Sequence, residues 1–435
     1  MTRQLTDIVG HLFPTTQAGS YPRPRWNGYD LGGEDIRVAL RRAGFAEAFS
    51  DGVRAMIGDQ VDAGIDIPTG GHLWYDRHEG LISSFLLYPA YHLSGIEVLP
   101  EANPLIMRQD AAAAAFSNTW NNVVVTGQVG RGSMHLAQLW RSAQAVSAKT
   151  VKFCSGMGPA NLGAWLTDLH YRDKAALYRD LADAYNAEFK DAVAAGVRIF
   201  QLDDVAFTLH GPEDYPLVVD TLNRALDGVD AFRIFHICHL GSGAPVGITP
   251  YASFHELVAG ELQVDAVEYA FAETGFPDAD FALWSKYPSE KGLGVGVIDI
   301  KRLVVETPEQ IVAGVRKALR HVPPERIHLT TDCGSSPCRG RSPAGSWPRW
   351  RRRRSSSAAR SAEGGRQGRL CGYRAPDGAE GAGSGTTSAR IGPRRDSPAR
   401  AAGRRRLLAG CGRGSAGPGA MLIARSGAPW GHAPA

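Results

Sequence analysis

The sequence predicts an α/β fold, a (β/α)8 TIM-type barrel, and three observations carry that expectation. Eight short apolar runs alternate with amphipathic stretches. Near-continuous apolar strands joined through helices form parallel sheets, and eight such units point to the closed barrel rather than an open sheet. Several of the runs end in polar or metal-binding side chains, and a barrel carries its chemistry at the carboxyl ends of its strands. The composition also breaks sharply after Gly334, which confines the folded body to residues 1–334.

The expected strands are 12–17, 65–69, 150–154, 197–203, 232–238, 264–269, 293–298 and 326–331. Between the fourth and its predecessor, residues 175–195 form the clearest amphipathic helix, with Gly196 as its stop. Thr307-Pro308-Glu309 opens another helix over 307–319, because proline suits the first helical turn. The stretch from about 75 to 149 breaks the rhythm with aromatics and turn residues, and contains the run Val-Val-Val-Thr-Gly-Gln-Val. It reads as an insertion after strand two.

The formal net charge of +4 is the sum of two unlike parts. Residues 1–334 are net acidic, whereas residues 335–435 hold 20 Arg, no Lys and four acids. A nucleic-acid reading therefore rests on the tail alone, on clusters such as 351–354 and 404–406. With six Leu, Ile, Val or Phe in its 101 residues, the tail cannot offset the entropy of ordering and is expected to be disordered. The abrupt shift to Arg, Ala, Gly, Ser and Pro reads as a frame-shifted translation of a GC-rich gene, which sequencing around codon 335 would test. No apolar run is long enough to span a bilayer, and the N-terminus lacks a secretory pattern. A cytoplasmic protein without a membrane partner is expected. Of the six cysteines, Cys154, Cys238 and Cys333 lie in the body, far apart and in strand-like runs. In a large cytosolic chain that favours metal or catalytic roles over a disulfide frame.

The sharpest local signal is His236-Ile237-Cys238. Strand side chains alternate, so His236 and Cys238 share a face. Imidazole and thiolate both suit tetrahedral zinc. Glu268, on the next strand, and Cys333, at the end of the last, can reach the same mouth and complete the ligand set. Asp203 ends strand four and is expected to face the mouth. Its neighbour Asp204 also suits a helix cap. Cys154 reads as a buried small hydrophobe, and His239 as a group outside the ligand set.

In family order, Thr15-Thr16-Gln17-Ala18-Gly19-Ser20-Tyr21-Pro22, Gly158-Pro159 with Trp165, Gln201-Leu202-Asp203-Asp204, His236-Ile237-Cys238, Glu268, Val297-Ile298-Asp299-Ile300 and Asp332-Cys333-Gly334 resemble the C-terminal catalytic barrel of cobalamin-independent methionine synthase and its single-barrel relatives. The resemblance covers about residues 10–334. It implies zinc on His236, Cys238, Glu268 and Cys333, and a small-molecule thiol that joins the metal as thiolate and accepts an alkyl group, as in methylfolate:homocysteine methyl transfer. It further implies that Ser20 and Asp203 hold the amino-acid part of homocysteine and that Trp165 lies against the pterin. Two positions depart from the family. His72 stands where a glutamate usually holds the substrate amine, and Lys301 stands where a histidine is implicated in proton donation. Two cationic groups there would suit the superfamily's epoxyalkane:coenzyme M transferase, which works on a sulfonate-bearing thiol. The competing classes are an inactive barrel with a nucleic-acid-binding tail and a zinc hydrolase. Cysteine-rich ligation fits thiolate exchange better than water activation.

Overall fold

The computed structural model describes residues 3–74, 81–99, 123–238, 251–302 and 305–335. All lie in one compact unit, Met1–Gly368; the other, Arg369–Ala435, falls outside the described residues, as does the whole stretch after Ser335 to which the tail expectations apply. Along the chain run helices α1 (Leu5–Val9), α2 (Ile36–Ala39), α3 (Ala43–Asp62) and α4 (Leu81–His92), then strands β1 (Ser94–Val98) and β2 (Val123–Gly130). Next come α5 (Leu136–Gln144), β3 (Phe153–Cys154), α6 (Pro159–Trp165), β4 (Thr167–Asp168), α7 (Lys174–Ala194), β5 (Ile199–Asp203), α8 (Tyr215–Leu226) and β6 (Phe232–Ile237). The body ends with α9 (His255–Gly260), β7 (Ala266–Tyr269), α10 (Asp278–Lys286), β8 (Gly292–Ile298), α11 (Pro308–Ala318) and β9 (Ile327–Thr331).

Six strands form one parallel sheet in the order β3-β5-β6-β7-β8-β9. The first two expected barrel strands are not regular strands, yet they close the ring. Thr16 donates to the Leu329 carbonyl, Ile67 to that of Thr15, and Lys152 to that of Pro68. Parallel bridges pair Thr15 with Leu329, Ser20 with Gly71 and Thr69 with Lys152. Pro14 and Pro68 explain the irregularity, because each removes one ladder N–H from its segment. The α/β barrel expected from the sequence is the observed architecture.

The helices begin and stop on local signals. Asp173 caps α7 by accepting from the Ala175 N–H, and Gly196 follows its end in the left-handed region at φ +114°. Thr307 and Gln310 form a reciprocal capping box on α11, with Pro308 in its first turn. The buried side of α7 carries Leu181, Tyr185 and Phe189, and Phe189 meets Phe200 of β5 edge-on at 4.7 Å between ring centroids.

Between barrel segments two and three the chain builds a second sheet. β1 runs antiparallel to β2, and β2 pairs in parallel with β4. The Val-Val-Val-Thr-Gly-Gln-Val run is β2. The third member, β4, comes from 167–168, beyond the 75–149 stretch, and α5 already packs on the barrel through Trp140, whose Nε1 donates to the Val151 carbonyl at 3.0 Å. Non-local pairing of this kind leaves no periodic trace in the sequence.

Burial also sets the acid behaviour of the fold. Burial pushes the His92 and His255 imidazoles down to about 4, and His72 likewise. Unfolded histidine takes up its proton near pH 6.5, so between about pH 6.5 and 4 the unfolded chain binds more protons than the folded one. Stability is therefore expected to fall as pH drops through that window, by on the order of 3 kcal/mol or less for each histidine. Melting temperatures measured from pH 7 to 4 check this. A His255→Gln variant with an unchanged pH slope would remove His255 from the account.

Candidate metal centre

The carboxyl end of β6 presents His236, and Cys238 follows one residue past its end on the same face. Cys333 lies two residues past the end of β9. Their side chains meet: the Cys238 and Cys333 sulfurs are 3.2 Å apart, and one ligand atom from each of His236, Cys238 and Cys333 lies within 4.8 Å of the others. The hydrogen bond with Cys238 and the neighbouring His236 and Lys301 hold the Cys333 thiol well below its usual range. Cys238 is pushed up by that same hydrogen bond and by burial.

His236 Nδ1 is 3.1 Å from Glu268 Oε2, while its Nε2 is buried with no hydrogen-bond partner. Burial would lower this imidazole, but the neighbouring Cys333 sulfur and Glu268 carboxylate raise it to about 10. An orphaned ring nitrogen beside two sulfurs is a donor set that fits a tetrahedral soft-to-borderline ion such as zinc.

Glu268 does not join this cluster. Its Oε1 receives Lys152 Nζ at 3.2 Å and is 3.1 Å from His328 Nε2. The reason is register. β6 and β7 pair His236 with Glu268 and Ile237 with Tyr269, so Glu268 stands level with His236 and below Cys238. The sequence reading, which set all four side chains at one mouth, had no access to that pairing. Burial alone would raise the Glu268 carboxyl. The Lys152 charge and the hydrogen bonds to His236 and His328 outweigh it and hold the group well below the usual carboxylate range.

A second group forms beside the first. One ligand atom each from His72, Cys154 and Asp203 lies within 4.8 Å of the others. Asp203 ends β5 and pairs across to His236. Its carboxylate accepts from Gln201 Nε2 and, at 3.2 Å, from the Gly156 N–H. Burial raises it to about 6. His72 sits in the left-handed region at φ +53°, with Nε2 3.3 Å from the Cys154 carbonyl. Its ring leaves no room for a side chain at Gly19, where a Cβ would come within 2.9 Å of the imidazole. Burial lowers His72 to about 4, so it is neutral near pH 7 and does not supply the cation expected from the sequence. Cys154 is buried, and burial pushes its thiol well up.

Lys301 Nζ lies 2.5 Å from Glu273 Oε2 in a buried pair. Burial would lower its ammonium, but the Cys238 and Cys333 sulfurs and Glu273 raise it. Ser20 ties the first barrel segment to the last: its carbonyl accepts from the Ser335 N–H at 2.7 Å, and its hydroxyl lies 2.2 Å from where a Cβ on Gly334 would stand. Trp165 is buried at the end of α6, with Nε1 bonded to Asn161 Oδ1 at 3.0 Å, and belongs to neither ligand group. Asp204 is structural: it accepts from the N–H groups of Asn161 in α6 and of Ala206. His239 lies outside the described residues.

Sequence reasoning missed Lys152, His328 and Glu273. Lys152 and His328 sit inside strand-like apolar runs, and a charged or polar group there needs a buried partner. That oddity was the available signal.

A closed parallel barrel with imidazole and thiol groups at the carboxyl ends of its strands is a barrel-enzyme framework with a candidate metal centre. Residues 13–341 match the family model described as cobalamin-independent synthase, catalytic domain, and the chain belongs to that family of methyltransferases. A methionine synthase of Saccharolobus solfataricus is 31% identical over 329 residues, covering 74% of this chain and 88% of that protein. One of Sulfolobus acidocaldarius is 28% identical over 330 residues, with 74% and 86% covered. Among solved structures, a B12-independent methionine synthase from Shewanella sp. W3-18-1 superposes with a TM-score of 0.63 at 22% identity, covering 80% of this chain and 99% of that one, which is a likeness of fold. Among the described residues, no helix is long and apolar enough to cross a membrane.

Proposed function

We propose that the protein is a zinc-dependent S-methyltransferase that passes a methyl group from a methylfolate-type donor to the thiol of homocysteine. The observation that carries this reading is the meeting of His236, Cys238 and Cys333 at the barrel mouth. The names of the curated relatives supply the substrate class.

His236 Nε2, Cys238 and Cys333 would hold the ion, and three protein ligands leave a fourth position for a substrate sulfur. Zinc bound there favours thiolate over thiol and so makes a nucleophile available near neutral pH. The chain's own residues do the rest. Asp203, next to His236 across the sheet, offers a carboxylate to the substrate ammonium. Ser20 stands at the junction of the first and last barrel segments, beside the Cys333 strand end. Trp165 offers a ring to a flat donor, because its N–H is already committed to Asn161. Lys301 suits charge balance at the two sulfurs better than proton donation, since a buried ammonium with a raised pKa is a weak acid.

A sulfonate-bearing thiol, as in coenzyme M transfer, is disfavoured by the same groups. His72 is neutral, and Glu273 already compensates Lys301. Zinc-loaded protein given methylated folate is expected to form methionine from homocysteine and to lose that activity on chelation. In direct competition homocysteine is expected to outbind mercaptoethanesulfonate. A clear preference for the sulfonate would reject the homocysteine reading, and a protein that neither takes up zinc nor methylates any thiol would reject the whole proposal.

A further inference from the structure

We infer that Glu268 is a positioning residue for the metal centre, anchored inside the barrel by Lys152 and His328, and that it fixes His236 in the tautomer whose Nε2 meets the metal. The inference rests on the proposed reading that His236, Cys238 and Cys333 hold zinc.

The geometry that carries it is a row of side chains across five strands. Strand pairing sets Asp203 against His236, His236 against Glu268, Glu268 against Gly294 and Gly294 against His328. Glu268 lies at the centre of the row and is fully buried. Oε2 faces His236 Nδ1 at 3.1 Å, and Oε1 faces both Lys152 Nζ and His328 Nε2. Both oxygens are engaged in hydrogen bonds within the barrel.

Gly294 shows that this network is built into the strand. A Cβ there would stand 2.4 Å from Glu268 Cγ and 2.5 Å from His328 Nε2. The absent side chain is what lets Glu268 and His328 meet across β8. Lys152 supplies the positive charge that an ionised carboxylate needs at zero exposure.

An ionised carboxylate accepts only, so the proton of the His236–Glu268 hydrogen bond sits on Nδ1. Nε2, the ring nitrogen left without a hydrogen-bond partner, is then the one that gives up its proton and offers a lone pair when a metal binds. A carboxylate behind a histidine ligand orients the ring and raises its basicity, and its loss typically costs roughly 10–100-fold in metal affinity.

The test uses the full chain loaded with cadmium-113 and labelled with nitrogen-15 histidine. Cadmium coupling is expected on Nε2 of His236, with a slowly exchanging proton on Nδ1; coupling on Nδ1 would overturn the inference. In Glu268→Gln, zinc affinity by chelator competition is expected to fall roughly 10–100-fold, while the cobalt-substituted protein keeps the charge-transfer intensity of two thiolates. Because that change leaves Lys152 uncompensated, the double variant Glu268→Gln/Lys152→Met gives the same reading if the single one does not fold. Wild-type affinity in both variants, or a loss as large as that of Cys238→Ser, would mean that Glu268 does not act through His236. A wild-type protein that binds no metal at all would instead sink the proposed function beneath it, and the two failures are told apart on the unmutated chain.

Discussion

Cys333→Ser is expected to lose nearly all bound zinc and, with it, methyl transfer to homocysteine. The serine hydroxyl is a harder and far less acidic donor, so the site loses both a soft ligand and a negative charge. Cys238, His236 and Lys301 hold the Cys333 thiol well below its usual range. Its loss should exceed the roughly 10–100-fold that removing a partner behind a ligand costs. Cys238→Ser is expected to behave similarly, leaving His236 and one thiol. Zinc per chain, measured by elemental analysis after dialysis, checks both. The fold should survive, since neither sulfur anchors a backbone group, and the thermal midpoint without metal should stay near that of the wild type. Stoichiometric zinc retained in either variant would show that the ion, if bound, sits elsewhere.

Asp332→Ala is expected to cost the most stability of any single change near the site. Asp332 is fully buried and takes three backbone N–H groups from the loop after β7, those of Phe271, Ala272 and Glu273, at 3.0, 3.1 and 2.5 Å. Burial and the nearby Glu273 push its carboxyl well above the ordinary range. Even so, those N–H groups have no other acceptor of this kind at hand. Each buried donor left without a partner costs about 1–3 kcal/mol, so the three together set the expected loss at roughly 3–9 kcal/mol. The strand accommodates the carboxylate at Gly296, where a Cβ would come within 2.1 Å of Asp332 Oδ1. Asp332→Asn keeps one acceptor oxygen and should fall between wild type and alanine. Denaturant titration measures both. Because Cys333 is the next residue, zinc affinity should drop with stability; an alanine variant as stable as the wild type would show that the loop is held by other contacts.

Much of the barrel was legible because its signals are local. Apolar runs of five to seven residues, the Thr307 capping box and the stop at Gly196 each depend on neighbours in sequence. The His236 and Cys238 pair was legible for the same reason, since two residues of separation on a strand put side chains on one face. Cys333 followed from its place at the end of the last strand, which adjoins the first in any closed barrel.

What the sequence by itself determined, then, is the kind of barrel, the order of its strands and three side chains, His236, Cys238 and Cys333, that meet at one place. Tertiary structure decided the rest. The register of β6 and β7 set Glu268 level with His236, with Lys152 and His328 for partners. Packing buried His72 and made it neutral, although its type suggested a cation. The sheet of β1, β2 and β4 joined segments far apart in the chain. The common cause is that strand register and burial arise between segments that meet only on folding. A carboxylate becomes a ligand or a support, and an imidazole charged or neutral, according to what those other segments bring beside it.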